Sequence, residues 1–365
     1  MAGKKKVALV SAFPLYTGTT NVVLDYQKAL MELGFDVHLY QLVIPDDKMQ
    51  YPEANVVIKG FKFITQSASL PLNLLFHFPR SVGTLQEDIV ILTDPILLTL
   101  KTKNPRAILL LHDLRDLSEY SRSPMRKAFF KYLLRFIRNG DKILSLSQYS
   151  KEFLINHCGP DIEVLVVEGC SPISVEEEKL NVKVSRAAFP KDTYRVVYVT
   201  ADRPYKNIQL FVKVAELMEK TYSDNRFRFI LVSKLRKYTD TLVKSCSLTN
   251  LKVIDHVDDM GQFYYNSDIL LYPSLIEGFG LPLVEAMAYG IPIIYSNRRP
   301  MTDIVGHFGK AVEPEIPEIW VRELLYLTDP DNYCKASLLS LERARNYTFE
   351  NFKINLSKAL NIFGY

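Results

Sequence analysis

The feature that most constrains this chain is an alternation: short apolar runs, each the length of one buried strand, separated by stretches of helical composition. In the first half Lys6 to Ser11, Asp36 to Gln41, Ala54 to Lys59, Asp88 to Thr93, Ala107 to His112, Lys142 to Ser147 and Glu163 to Val167 read as strands, with helices such as Thr20 to Leu33 between several of them. Runs that are apolar on both faces belong to parallel sheets covered by helices, so the expected class is α/β with doubly wound sheets. The second half repeats the scheme with Tyr194 to Val199, Phe227 to Val232, Leu251 to Asp255, Asp268 to Tyr272 and Ile291 to Tyr295, alternating with helices near Asn207 to Lys220 and Asp259 to Tyr265. A length of 365 residues suits two domains, each with its own core. Two Rossmann-like domains are therefore expected, at 1–170 and 191–345. Between them 171–190 reads as a linker, because Gly169 to Ala187 lacks an apolar period and carries the acidic run Glu176-Glu177-Glu178. A last helix, within 346–365, follows a break at Asn346-Tyr347.

One segment carries most of the chemistry. Glu277-Gly278-Phe279-Gly280-Leu281-Pro282-Leu283-Val284-Glu285 follows the apolar run ending at Tyr272-Pro273 and leads into helical composition that Gly290 and Pro292 terminate. The order is strand, tight loop, helix. Gly278 and Gly280 let the backbone turn sharply and approach a ligand, and the free amides at the helix start, near Gly280 and Leu281, favour an anion such as a phosphate. Glu277 in the loop and Glu285 one turn into the helix can face one crevice at the carboxyl end of a sheet, where carboxylates accept hydrogen bonds from sugar hydroxyls. Either glutamate taken alone reads equally well as a solvated surface acid.

The stretch from Asp268 to Gly306 resembles the donor-site signature of retaining GT-B glycosyltransferases of family four: Glu277-x7-Glu285, then Ala286-Met287-Ala288-Tyr289-Gly290-Ile291-Pro292 and Asp303-Ile304-Val305-Gly306. A second element agrees, since Arg203-Pro204-Tyr205-Lys206 after the first strand of this half is similar to the family's Arg-x-x-Lys pair that holds the donor diphosphate. The resemblance implies a GT-B architecture: two Rossmann-like domains facing across a cleft, with the terminal helix crossing back to the first domain. It also implies that Glu285 holds the ribose hydroxyls, that Glu277 holds the transferred sugar, and that Gly278, Phe279, Gly280 and Leu281 line the donor. His112, at the end of the strand from Ile108 to Leu111, stands where similar enzymes contact the donor sugar, and Asp113 beside it reads as a weaker candidate or a cap. Gly18 occupies part of the family's glycine pair after the first strand, although Thr19 replaces the second glycine.

The implied function is retaining transfer of a sugar from a UDP- or GDP-sugar to a glycan or lipid-linked acceptor. Two other readings compete: GT-B chemistry of another kind, such as epimerisation or phosphorolysis, and a noncatalytic scaffold for sugar nucleotides or membranes. No Gly-x-Gly-x-x-Gly fingerprint or Gly-Lys-Ser/Thr phosphate loop is present, which removes the main sequence support for a nicotinamide dehydrogenase or a phosphate-loop enzyme. No metal or other cofactor is implied: there is no Asp-x-Asp run at a strand end, and Cys158, Cys170, Cys246 and Cys334 lack zinc spacing. Asp46-Asp47 and Asp258-Asp259 read as polar loops and helix starts. A net charge of +4 argues against a dedicated nucleic-acid binder.

A basic amphipathic helix is expected over 123–138, with Lys127, Lys131, Arg135 and Arg138 on one arc and Met125, Phe129, Leu133, Phe136 and Ile137 opposite; Arg126 adds a further cation. Such a helix either lies on an anionic membrane or packs its apolar arc inward and leaves the cations solvated. With no apolar stretch of membrane-spanning length and a start, Met1 to Lys6, that runs straight into a strand, the expectation is a cytoplasmic protein, with peripheral contact at the membrane face as an added option.

Overall fold

A computed structural model of the chain describes residues 4–12, 18–43, 54–60, 72–111, 117, 124–171, 192–235 and 237–365. The chain divides into two compact units, one of residues 1–170 with 349–365 and one of residues 171–348.

The first unit is built on strands β1 (Lys6–Ser11), β2 (Asp36–Val43), β3 (Val56–Lys59), β4 (Ile89–Leu92), β5 (Ile108–Leu110), β6 (Lys142–Ser145) and β7 (Glu163–Val166). They form one parallel sheet in the order β3-β2-β1-β4-β5-β6-β7. Strand order reverses direction at β1, which pairs with β2 on one side and β4 on the other, Val10 lying level with Tyr40 and with Leu92. Val10, Leu92, Leu109 and Ile143 are all buried in the core beneath the covering helices, as fully apolar strands require. Those helices include α1 (Gly18–Glu32), α2 (Phe78–Val82), α3 (Pro124–Leu133) and α4 (Gln148–Cys158), the last capped by Ser147, whose hydroxyl accepts from the Ser150 amide at 3.1 Å.

The basic segment departs from the expected long helix. α3 stops at Leu133, a 3-10 turn covers Leu134–Phe136, and Ile137 is extended, so Arg138 lies beyond the helical register. Phe130 and Leu133 form the buried side, whereas Met125, placed on the apolar arc by the sequence, is 81 % exposed beside Tyr132 at 44 %. Lys131 and Arg135 share that exposed side and Lys127 is half-buried; the side chain of Arg126 lies outside the described residues.

The second unit carries β8 (Tyr194–Val199), β9 (Phe227–Val232), β10 (Leu251–Ile254), β11 (Ile269–Tyr272), β12 (Ile293–Ser296) and β13 (Lys310–Val312), again all parallel, in the order β10-β9-β8-β11-β12-β13. This is the dinucleotide-fold order, and its reversal falls between β8 and β11. Helices α5 (Ile208–Glu216), α6 (Lys237–Cys246), α7 (Met260–Tyr265), α8 (Leu281–Ala288), α9 (Met301–Val305), α10 (Pro317–Tyr326) and α11 (Pro330–Ala344) alternate with the strands or follow them. The expected helix over 207–220 is α5 followed by a π turn, Leu217–Thr221. Asp259 starts α7 as anticipated, accepting from the Gln262 amide at 2.9 Å.

The last helix, α12 (Phe349–Ile362), belongs to the first unit. It packs on α1, where the rings of Tyr26 and Phe352 meet edge to face at 5.0 Å and Lys353 Nζ bonds Glu32 at 2.8 Å. The first unit thus closes over residues contributed from both sides of the second. Residues 172–191, which include most of the expected linker, lie outside the described residues.

Candidate active site

In an open parallel sheet, loops leaving the carboxyl ends of the strands on either side of the order reversal splay apart and make a crevice. In the second unit those loops follow β8 and β11. The first contains Arg203 and then a 3-10 turn, Pro204–Lys206, ending at Asn207 in the left-handed region with φ 50°. The second runs from Pro273 to Gly280.

Several bonds tie the two loops together. The Leu275 amide donates to the Tyr205 carbonyl at 2.7 Å. Tyr198, fully buried near the end of β8, donates its hydroxyl to the Lys206 carbonyl at 2.7 Å and meets the Ser274 hydroxyl at 2.8 Å. Lys206 Nζ then reaches Glu277 Oε1 at 2.5 Å. Both side chains are nearly out of solvent, with 9 % of Lys206 and 7 % of Glu277 exposed. Two opposite charges so buried must be paired.

Glu277 Oε1 also accepts from the Tyr272 hydroxyl at 2.7 Å. Tyr272 closes β11, is buried, and stands edge to face with Tyr198 at 5.6 Å between ring centres. Glu285, 8 % exposed on α8, accepts through Oε2 from the hydroxyl of buried Tyr264 on α7 at 2.8 Å. Tyr264 is stacked at 6.1 Å on Tyr289, the residue that ends α8. Burial and then the neighbouring carboxylate push both phenols well above their ordinary pKa, Glu277 acting on Tyr272 and Glu285 on Tyr264. Both tyrosines therefore stay protonated and act as donors.

Gly280 caps α8 with φ 105° and ψ 56°, a conformation that glycine adopts without strain. A Cβ there would lie 3.0 Å from Leu283 Cδ1. Pro282 has no N–H and the Leu283 amide donates to the Gly280 carbonyl at 2.9 Å, so of the first three residues of α8 it is Leu281 whose amide can meet an anion.

The sequence candidates thus separate. Lys206, Glu277, Gly280 and Glu285 lie on the loops and helix at the reversal of strand order, and Gly278 is in the same loop. Arg203 is half-buried, and its guanidinium donates to the Asp202 carbonyl at 3.0 Å. The Phe279 side chain is buried, its ring edge to face with Tyr347 at 5.8 Å, and Leu281 is buried too. Gly18 is the first residue of α1 in the first unit. His112 and Asp113 lie outside the described residues. Sequence reasoning missed Tyr198, Tyr264 and Tyr272. The available signal was the rule that a phenol in a buried run needs a partner for its hydroxyl.

Among the described residues no group of three or more His, Cys, Asp and Glu side chains is placed to hold a metal, and no helix is long and apolar enough to cross a membrane. The four cysteines form no disulfide.

Comparison with known proteins gives the family. Residues 182–335 match the family model described as glycosyl transferases group 1, and residues 16–168 match the one described as glycosyltransferase family 4. The two glycosyltransferase models thus cover the two halves of the chain in turn. Among curated members it is 27 % identical over 218 residues to the O-antigen chain mannosyltransferase RfbU of Salmonella typhimurium, covering 57 % of each chain. It spans about half the length of the curated relatives it matches first, 42 % of one and 57 % of the other. Solved structures share the fold at lower identity. Sucrose-phosphate synthase from Thermosynechococcus elongatus superposes with a TM-score of 0.76 at 15 % identity, over 99 % of both chains. The Anabaena protein HepE in complex with UDP and glucose gives 0.75 at 14 % identity, over 98 % of this chain and 99 % of that one. The chain has the GT-B class of fold, with two Rossmann-like parallel sheets.

Proposed function

We propose that this chain is a retaining glycosyltransferase that moves a sugar from a nucleoside diphosphate sugar to a glycan or lipid-linked acceptor without a metal. The observation that carries the reading is the meeting of Lys206 and Glu277 at the reversal of strand order, with Glu285 one turn into the adjoining helix. In this reading Lys206, Arg203 and the Leu281 amide at the start of α8 stabilise the negative charge that grows on the departing diphosphate, so they act on the transition state directly. Glu285 accepts from the ribose hydroxyls and Glu277 from the transferred sugar.

The bond between the anomeric carbon and the diphosphate oxygen breaks as the acceptor oxygen bonds to that carbon from the same face. The departing diphosphate takes the acceptor's proton. No side-chain nucleophile is needed, and the two glutamates do not serve as the acid and base of a glycosidase pair. His112 and Gly18 are assigned to the donor by family resemblance alone. The names of relatives guide the choice of substrates: mannose and an O-antigen chain from RfbU, UDP and glucose from HepE.

The test is calorimetric titration with UDP, GDP, ADP and TDP in metal-free buffer, repeated on Glu285→Ala. Selective binding that the variant loses supports the donor site; no binding to any of the four would favour the noncatalytic scaffold. A requirement for a separate acceptor in product formation then distinguishes transfer from epimerisation.

The exposed side of α3 favours a further element of this proposal. Met125 and Tyr132 stand in solvent beside Lys131 and Arg135, an apolar and basic combination suited to an anionic membrane surface holding a lipid-linked acceptor.

A further inference from the structure

The carboxylate of Glu277 has two donors on a single oxygen, Lys206 at 2.5 Å and Tyr272 at 2.7 Å. The donor reading above asks Lys206 to turn toward a diphosphate. A lysine on a flexible stem that leaves its partner would draw the carboxylate with it unless something fixed holds that same oxygen. Tyr272 is fixed: it closes a strand, its ring abuts Tyr198, and its phenol is held neutral by burial and by Glu277 itself. Glu285 has the matching arrangement on the other side of Gly280, with Tyr264 buried on α7 and stacked on Tyr289.

Resting on the donor reading, we propose that Tyr272 and Tyr264 are positioning residues. Each holds one glutamate in place for a different part of the nucleotide sugar. Tyr272 keeps Glu277 on the sugar while Lys206 engages the diphosphate, and Tyr264 aims Glu285 at the ribose. The two hydroxyls come from different elements, so they separate the two halves of donor recognition.

The experiment compares wild type with Tyr264→Phe and Tyr272→Phe, each of which removes one oxygen and keeps the packed ring. Calorimetry measures UDP and GDP, then the corresponding sugar nucleotides, with thermal midpoints recorded for each variant. Tyr264→Phe is expected to weaken the diphosphate that wild type binds by about tenfold, the scale of one hydrogen bond to a charged group. Tyr272→Phe is expected to bind the bare diphosphate within about twofold of wild type and to lose about tenfold in kcat/KM for the sugar nucleotide, again one charge-assisted bond. Two variants that match wild type in every affinity and rate would overturn the proposal. So would equal losses of diphosphate affinity in both, tracking their thermal midpoints, because that marks a purely structural role. Wild type that binds no diphosphate removes the donor reading itself, and this assignment falls with it.

Discussion

Lys206 and Glu277 are 71 residues apart in sequence and 2.5 Å apart in space. One leaves β8 and the other leaves β11, so the contact exists only because those strands are neighbours at the reversal of the sheet order. A buried pair of this kind adds little net stability compared with a well-packed apolar replacement, yet removing one partner costs on the order of 3 to 5 kcal/mol. The arrangement is better explained by what the two charges do for a ligand.

Lys206→Ala is expected to lower transfer at least ~100-fold, the order observed when one preorganised charge-stabilising group is removed. It should also lower the unfolding free energy of the second unit, because Glu277 is left buried without its cation. Turnover with a cognate sugar nucleotide and denaturant unfolding measure the two effects, and near wild-type turnover would sink the assignment of Lys206 to the leaving group.

Gly280→Ala places a Cβ in a left-handed backbone and against Leu283. Strain of about 1 to 3 kcal/mol is expected from the backbone alone. Because Gly280 sets the start of α8, the substitution should weaken nucleoside diphosphate binding as well, which titration of the folded variant would reveal. Unchanged affinity would mean that the amides of α8 do not touch the ligand.

Asp25, on α1, has its carboxyl pushed up to about 6 by burial, against the lowering effects of a hydrogen bond with Cys170 and the charge of Lys28. A proton held more tightly in the folded chain gives stability that is fully present below pH about 4 and is lost as pH rises through about 6. Asp25→Asn removes that dependence. At pH 7 it is expected to be more stable than wild type by about 3 kcal/mol, and the advantage should shrink toward pH 4. Thermal midpoints over pH 4 to 8 check the sign, and an advantage that grew toward low pH would contradict it.

Lys131→Glu with Arg135→Glu reverses two exposed charges, one on α3 and one on the 3-10 turn that follows it. Each cation near an anionic surface contributes on the order of 1 kcal/mol, so the double reversal should abolish co-sedimentation with phosphatidylserine vesicles at low salt. Neutral phosphatidylcholine vesicles should retain neither protein. Equal retention of wild type and variant would assign these cations to a solvated face.

Much of the fold is written in runs of apolar residues that are short and buried on both faces. β1, β8 and β9 coincide with their expected spans: β1 is an unbroken apolar run between Lys6 and Ser11, and β8 and β9 are each broken by a single exposed arginine, Arg195 and Arg228. β13 was not legible, being three residues, Lys310–Val312, of which only Val312 is buried. The early end of α3 was also hidden, since Leu134, Arg135 and Phe136 keep helical composition while their backbone tightens to a 3-10 turn. At the site, the acidic pair and its glycines announce themselves through spacing and turn chemistry. The tyrosines do not, because Tyr264 and Tyr272 sit in apolar surroundings and read as core until the fold brings a carboxylate to each hydroxyl. Arg203 and Lys206 look equivalent in sequence, yet Lys206 is buried against Glu277 while Arg203 is half-buried.

The place of α12 has a consequence for synthesis. A ribosome makes the second unit, residues 171–348, in one uninterrupted stretch, and that unit can finish folding as soon as it emerges. The first unit cannot, although its sheet is translated earlier, because the surface of α1 around Tyr26 waits for Phe352. Throughout that interval the nascent chain carries an uncovered apolar face, which makes the earlier-made half the later one to mature and the half with the greater need of a chaperone.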